Sequence, residues 1–529
     1  MLHSSSISCS RLVRRGQHIK SSFNRLQRVV YAVKQAATSS PHVLTNWLQR
    51  NGGSEQLVEI KGVEMETGVT QPLDTLVARQ KIAPGQVLID IPEKLVITLD
   101  RVFESEFVAE LLTNDKLSEL ACLTLYLMYE KKTGKESFWA PYIQALDRQR
   151  GRGVQAVESP LLWKDEELEE LLQGSPVVTA VRQRLAGIRE EYDELDKVWF
   201  MASSLFKRYP FDIPTEAFPF ERFRQAFAAV QASIVHLQGV SVGKRFALVP
   251  LGPPLLSYSS TSKAMLQYNS EHETIQLVAD REYEEGEALC AWCGPQPNSR
   301  LLLNYGLVDE NNPYDKLQVT ITLPNNDPLF RIKRAVLQPF GLATQQTFDL
   351  GRNKPLPPAL LPFMRLALAT TEEQARLVVF PEPPPPRSTS GGMPSTSTPS
   401  PPSESAGPTN PVSSASVKTP LSMEIETKAL NLLAGYMHRR LNSYKHSLSK
   451  DLEIISDPLS TPRQRIAARL TKIEKSILQD CLGELKKAAS GVAGQGMSTT
   501  VEASAAVSVE LPSAEACEAA LRGSSIKFA

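Results

Sequence analysis

The feature that most constrains this chain is a hydrophobic period that changes twice. The runs LVEIKGVEM and TLVARQKIAPGQVLIDIP, broken by Pro84-Gly85 and closed by Pro92, carry strand patterning. From about Val102 the period lengthens to three and four residues, in LSELACLTLYLMYEKK, DEELEELLQ and VRQRLAGIREEYDELDKVWFMASSLFKR. Strand patterning returns in KRFALVPL, IQLVADREY and ALCAWC and runs on through LQVTITL. Such a chain inserts a helical block between two halves of a sheet, which predicts an α+β fold.

Downstream, helical spacing resumes at Leu430, Leu433, Met437, Leu441 and Tyr444, and again at Ile466, Leu470, Ile473 and Ile477. Between the two regions, Pro381 to Pro420 is a Pro/Ser/Thr/Gly stretch with too little apolar surface to offset its conformational entropy, and it reads as a disordered loop. The residues after Ala488, rich in Ala, Ser and Gly, show no stable pattern.

Across 529 residues the basic and acidic side chains number 58 each, which argues against a chain-wide surface for polyanions. The balance hides a basic leader. Eight Lys or Arg precede the first acid, Glu55, and MLHSSSISCSRLVRRGQHIKSSFNRLQRVVYAV has the composition of an organelle transit peptide, without the apolar run of a secretory signal. Val30-Tyr31-Ala32 resembles a plastid processing site, so the expected location is the chloroplast stroma, with a mature chain starting near Val33. The longest apolar stretch, Leu117 to Tyr129, is shorter than the roughly 20 residues of a membrane span.

Common catalytic signatures are absent. There is no strand followed by G-x-G-x-x-G, VSVGK lacks the leading glycine of a phosphate loop, and neither H-E-x-x-H nor G-x-S-x-G occurs. The seven histidines are scattered, His236 within what reads as an apolar helix, and no basic stripe interleaved with aromatics points to nucleic acid. Cys290 and Cys293 form a C-x-x-C that is open to a redox or zinc role or to two strand cysteines, with no second pair nearby.

Several phrases in order nevertheless resemble the SET-domain protein methyltransferases of the Rubisco large-subunit methyltransferase type. They are LVARQKIAPGQVLIDIPEKLVIT (Leu76 to Thr98), ESFWAPYIQAL (Glu136 to Leu146), SPLLWKDEELEELLQGS (Ser159 to Ser175), EYDEL (Glu191 to Leu195), FALVPLGPPLLSY, GPQPNSRLLLNYGLVDENNPYD (Gly294 to Asp315) and RQRIAARLTKIEKSIL. The resemblance implies a knotted SET β-fold with an inserted helical subdomain, followed by an all-α C-terminal substrate-binding-like domain. The expected boundaries are a transit peptide over 1–32, SET halves at 41–110 and 241–315, a helical insert at 111–240, a substrate-binding domain at 316–485 containing the 381–420 loop, and a disordered tail at 486–529.

It further implies S-adenosylmethionine as cofactor and, as partner, a plastid protein presenting a lysine whose ε-amine enters a narrow channel. Tyr305, in LLLNYGLV, aligns with the family's catalytic tyrosine. The cofactor positions depart from the family pattern. Leu73, Asp74, Thr75 and Leu76 stand near a turn that usually contains glycine. Pro253 to Ser257, with Leu255, Leu256 and Ser257, replace D-x-x-N-H, Ser233 takes the place of an arginine that binds the cofactor carboxylate, and Cys293 that of a tyrosine. Serine cannot supply the charged fork of arginine. Two readings follow: a plastid protein-lysine methyltransferase, or a catalytically silent SET protein that acts as a binding or assembly module.

Overall fold

A computed structural model describes residues 42–54, 57–63, 73–105, 117–148, 157–205, 219–381, 422–495, 513–522 and 524–528. The leader and nearly all of the 381–420 stretch lie outside these residues. The chain divides into two compact units, one within 1–162, 183–294 and 304–307, the other within 163–182, 295–303 and 308–529.

Among the described residues, the first unit holds ten short strands. β1 (Val58–Val63) and β2 (Leu73–Ala78) pair antiparallel, with Val58 opposite Ala78 and Val63 opposite Leu73. β3 (Val87–Pro92) pairs with β9 (Thr274–Val278), which also pairs with β8 (Leu266–Asn269). β4 (Ile97–Thr98) and β5 (Ile234–His236) flank β6 (Phe246–Leu248), while β7 (Ser257–Tyr258) and β10 (Cys290–Ala291) are parallel. Strands from before and after the helical block thus share sheets, as the double change of period requires. Along β3, Ile89 and Ile91 are buried on one face and Leu88 on the other.

Within the block, the helix Glu119–Thr133 starts at Ser118, whose hydroxyl accepts from the Ala121 amide at 3.2 Å, and packs on the helix Phe220–Ser233. Its residues Ala121 to Leu127 are buried without a break, so its first half is enclosed on all sides where the spacing predicts an amphipathic helix, and exposure returns only at Lys131 to Thr133. His236, read as helical, lies on β5 and stacks on Phe246 with centroids 5.3 Å apart.

The second unit contains β11 (Lys316–Thr322), β12 (Gln345–Gly351) and β13 (Lys527–Phe528), in the order β12-β11-β13, and the long helices Met423–Ser443 and Pro462–Gln495. Two expectations are corrected here. Residues Trp163–Arg182 of the expected insert belong to this unit, because the helix Asp165–Leu172 packs on Pro462–Gln495 and Arg463 meets Glu167 at 2.6 Å. At Gly174 the backbone lies so close to Ser443 and Tyr444 that an added Cβ would fall 2.7 Å from their atoms. The tail expected to be disordered over 486–529 contains the end of the Pro462–Gln495 helix, the helix Ala514–Arg522 and β13. Sparse apolar residues, Cys517, Leu521 and Ile526, suffice to bury one side of it.

Several buried polar groups in this unit are paired, as burial demands. Arg365 forks onto Glu426 at 2.7 and 2.8 Å. Asn298 donates through its backbone and side-chain amides to Asp315, each at 2.7 Å, and its carbonyl oxygen accepts from the Asp309 amide at 2.7 Å. Burial pushes the Asp315 carboxyl up to about 6. Glu474, also buried, accepts from the Ser175 and Tyr444 hydroxyls, both at 3.0 Å, and burial pushes its carboxyl up to about 7.

Because both carboxyls titrate higher in the native state than in an unfolded chain, the native state holds extra protons in that interval. The corresponding stability is present at acid pH and is lost as pH rises through about 6 and then about 7. Denaturant midpoints are therefore expected to fall from about pH 5 to pH 8. Glu474→Gln should flatten the upper part of that slope and stabilise the protein at pH 8 by roughly 1–3 kcal/mol, as urea titrations at a series of pH values will show.

Candidate functional site

Thr75 and Leu76, on β2, meet the turn that leads into β7. The Leu255 carbonyl accepts from the Leu76 amide at 3.0 Å and from the Thr75 hydroxyl at 3.4 Å. The turn itself is tight: Leu251 has φ 63°, and a Cβ on Gly252 would stand 2.8 Å from the Val249 carbonyl. The Pro253-Pro254 bond is cis, and Leu251 to Leu256 are all buried, Leu256 with no exposed surface. An apolar plug therefore ends at Leu256, where the resemblance implies asparagine, just before Ser257 at the implied histidine position.

Beyond the plug the wall becomes polar. Ser257 and Tyr258 on β7 lie in register with Cys290 and Ala291 on β10. Ser257, Tyr258, Cys290 and Cys293 are half-exposed, whereas Ala291 is buried. The Tyr258 hydroxyl donates to the Ile234 carbonyl at 3.4 Å, and its ring lies against that of Tyr305, with centroids 4.8 Å apart at 55°. This is a tilted aromatic pair that orients both phenols.

Tyr305 ends the helix Asn298–Tyr305, and Gly306 takes φ 65°, the left-handed conformation that ends a helix. The Gly306 carbonyl accepts from the Val157 amide at 2.8 Å, and a Cβ there would fall 1.8 Å from the Val157 oxygen. Glycine is needed twice over, for its φ and for the close approach.

The structure brings most of the expected positions together. Thr75, Leu76, Leu255, Leu256 and Ser257 meet along one path of backbone contacts, and Tyr305 joins through Tyr258. Leu73 pairs with Val63 at the far end of β2, and Asp74 follows it, half-exposed. Ser233 is buried, with its hydroxyl turned back onto the Ala229 carbonyl at 2.8 Å, one residue before the carbonyl that holds Tyr258. Tyr258 is the residue that sequence reasoning missed. Its signal was an aromatic directly after the lost Asn-His pair, in a stretch otherwise made of serines. Among the described residues, no group of three or more His, Cys, Asp or Glu could hold a metal, and no helix is long and apolar enough to cross a membrane.

The architecture is that of the SET domain. It superposes on the crystal structure of the SET domain of LSMT bound to lysine and AdoHcy with a TM-score of 0.60, at 20% identity over 84% of this chain and 91% of that one. The structure of Rubisco LSMT bound to AdoMet gives a TM-score of 0.60 at 21% identity, with 84% and 91% covered. The family model for Rubisco LSMT substrate-binding matches residues 324–478, within the second unit. The fold is similar to that of Rubisco LSMT, as the sequence phrases imply.

Similar full-length proteins are the actin-histidine N-methyltransferases of Mus musculus, 23% identical over 82% of this chain, and of Xenopus tropicalis, 23% identical over 83%. The chain spans 66% of the length of the mouse relative and 68% of that of the frog relative.

The Gly306 contact makes a sharp contrast between two left-handed glycines. Gly306→Ala should cost at least about 3 kcal/mol and perturb the tyrosine pair, since the added methyl meets backbone that cannot move aside. Gly294→Ala, at φ 89° with nothing near its Cβ, should cost about 1–2 kcal/mol. Urea midpoints with near-ultraviolet circular dichroism will separate the two. Equal costs would remove the latch.

Proposed function

We propose that this chain is a protein N-methyltransferase of the SET class that uses S-adenosylmethionine as its methyl donor. The observation that carries the reading is the Tyr258–Tyr305 pair, which joins the end of β7 to the end of the helix Asn298–Tyr305, beside the Gly306 latch. The relatives and structural neighbours support it: the former are actin-histidine N-methyltransferases, the latter the SET domain of LSMT bound to lysine and AdoHcy and Rubisco LSMT bound to AdoMet. The acceptor we infer is a side-chain nitrogen of a protein, lysine first, with histidine as the second candidate. The acid-free basic leader supports a plastid as the place where that protein is met.

Residues that would hold the cofactor fit it unevenly. At the methyl end, the half-exposed Ser257, Tyr258 and Tyr305 place hydroxyl oxygens where weak C–H···O contacts and an acceptor nitrogen can be oriented. At the carboxylate end Ser233 carries no charge, and its hydroxyl already donates within its own helix. When bound, S-adenosylmethionine supplies a methyl group activated by its sulfonium. The chain's own part is to align the acceptor lone pair through Tyr305 and to keep that nitrogen neutral. The buried apolar side chains of Leu256 and Ala291 disfavour a cation beside them.

A second reading, a catalytically silent SET protein that binds or assembles other proteins, rests on a specific observation. Leu256 is fully buried where the resembled family has asparagine, and the adjacent carbonyl is engaged by β2. Incubation of the full chain with S-adenosylmethionine carrying a tritiated methyl group and an extract of soluble plastid proteins distinguishes the two. Labelled protein that drops at least about 100-fold with Tyr305→Phe supports transfer. A folded chain that labels nothing leaves the silent reading.

A further inference from the structure

The helix Asn298–Tyr305 has its two most consequential residues at its two ends, seven positions apart. At about 100° per residue, seven steps return to the same face, two turns along. A rotation of the helix that moves Asn298 therefore moves Tyr305 with it. With side-chain tips about 5–6 Å from a helix axis, a turn of about 10° shifts one by about 1 Å. An error of that size can cost about 100-fold in a reaction that depends on alignment. The buried Leu301, Leu302 and Leu303 are successive residues that point in different directions, and apolar contact is non-directional, so they hold the helix in place without fixing its rotation.

Asn298 has no exposed surface, and directional bonds surround it. Its backbone amide donates to Asp315 Oδ1 and its side-chain amide to Asp315 Oδ2, each at 2.7 Å. The same side chain grips Asp309 from both sides, donating to its carbonyl and accepting from its amide, again at 2.7 Å each. Residues 298–309 thus close into one loop that contains Tyr305. Asn312, also without exposed surface, repeats the tie by donating to the Gln296 carbonyl at 2.8 Å. The anchor of this arrangement is a paired strand. Asp315 directly precedes β11, which pairs with β12 from Lys316–Gly351 to Thr322–Gln345, and its carbonyl accepts from the Arg352 amide at 3.0 Å. The Arg352 guanidinium lies 4.0 Å from the Asp315 carboxylate and donates to the Glu310 carbonyl at 2.5 Å.

We propose that Asn298 is a positioning residue for Tyr305: its side chain fixes the rotation of the helix Asn298–Tyr305 against Asp315 and Asp309, and so sets where the Tyr305 ring stands beside Tyr258. The residue type follows from the bonds. One side chain has to donate to two oxygens, those of the Asp309 carbonyl and the Asp315 carboxylate, and accept from one amide, which is the inventory of asparagine. Aspartate has the same shape and no donor. The Gly306 latch secures the end of this helix, whereas the Asn298 clamp sets its rotation from the start. The consequence for catalysis rests on the proposed methyl transfer; the positioning itself does not.

The test places 3-fluorotyrosine at position 305 of the full chain and, in a separate sample, at position 126, where the tyrosine hydroxyl accepts from the Trp139 indole at 3.0 Å within the helical block. Fluorine magnetic resonance spectra are compared between the wild-type sequence and Asn298→Asp, which keeps the shape, removes both donors and sets a second carboxylate beside Asp315. The signal at 305 should shift or split, and the signal at 126 should stay. In tritium transfer from S-adenosylmethionine to a soluble plastid extract, the maximal rate should fall at least about tenfold. The S-adenosylmethionine concentration at half-maximal rate should change by less than about twofold. A folded Asn298→Asp chain with an unchanged signal at 305 overturns the proposal. So does one in which both signals move alike, because only general packing is then lost. If Asn298→Asp does not fold, Asp315→Asn, which keeps the shape and removes the buried charge, is read by the same two signals. A wild-type chain that labels nothing defeats the methyltransferase reading, while the fluorine signals still decide the positioning.

Discussion

One carbonyl joins the two halves of the candidate site. The oxygen of Leu255 takes hydrogen bonds from Leu76 and Thr75, which precede it by about 180 residues, with the helical block in between. Its neighbours depend on that junction. β2 is placed against the turn that feeds β7, β7 is aligned with β10, and Tyr258 at the end of β7 meets both the Ile234 carbonyl and Tyr305. Contacts this distant in sequence bring a large loop-closure entropy, so they hold only where the surrounding groups are buried and satisfied. Here that burial comes from Leu251 to Leu256.

The same junction defines the tension in the function. The plug that stabilises the turn ends at Leu256, where the resemblance implies asparagine, so under the proposed function fold stability and cofactor recognition compete for one stretch of chain. The proposed methyl end has hydroxyls at the end of β7 and at the end of the helix Asn298–Tyr305, but where the resemblance implies a charged fork at the carboxylate end stands Ser233, whose hydrogen bond stays within its helix. A protein of this kind can transfer a methyl group only if backbone groups and the remaining hydroxyls hold the donor.

Much of the architecture was legible because hydrophobic period reports burial geometry. Strand patterns flanking a helical block led to sheets shared by both flanks. Other features were not legible, for physical reasons. The enclosed helix around Ala121 to Leu127 carries apolar residues on every face, so its spacing says helix without saying that it is buried on all sides. The docking of Ala514–Arg522 and β13 rests on a few anchors among alanines and serines, too few to set a period. Trp163–Arg182 left the expected insert because of tertiary contacts at Glu167 and Gly174 that no local pattern announces. Tyr258 gains its role only from a partner 4.8 Å away in space.

The central claim is that the tyrosine pair lies in a site that still accepts S-adenosylmethionine despite the apolar plug. Isothermal titration of the full chain with S-adenosylmethionine, and with S-adenosylhomocysteine as second ligand, tests it directly. The account predicts saturable one-to-one binding in the micromolar range, about 8 kcal/mol. The absence of heat at millimolar ligand, from a chain shown to be folded, would contradict it.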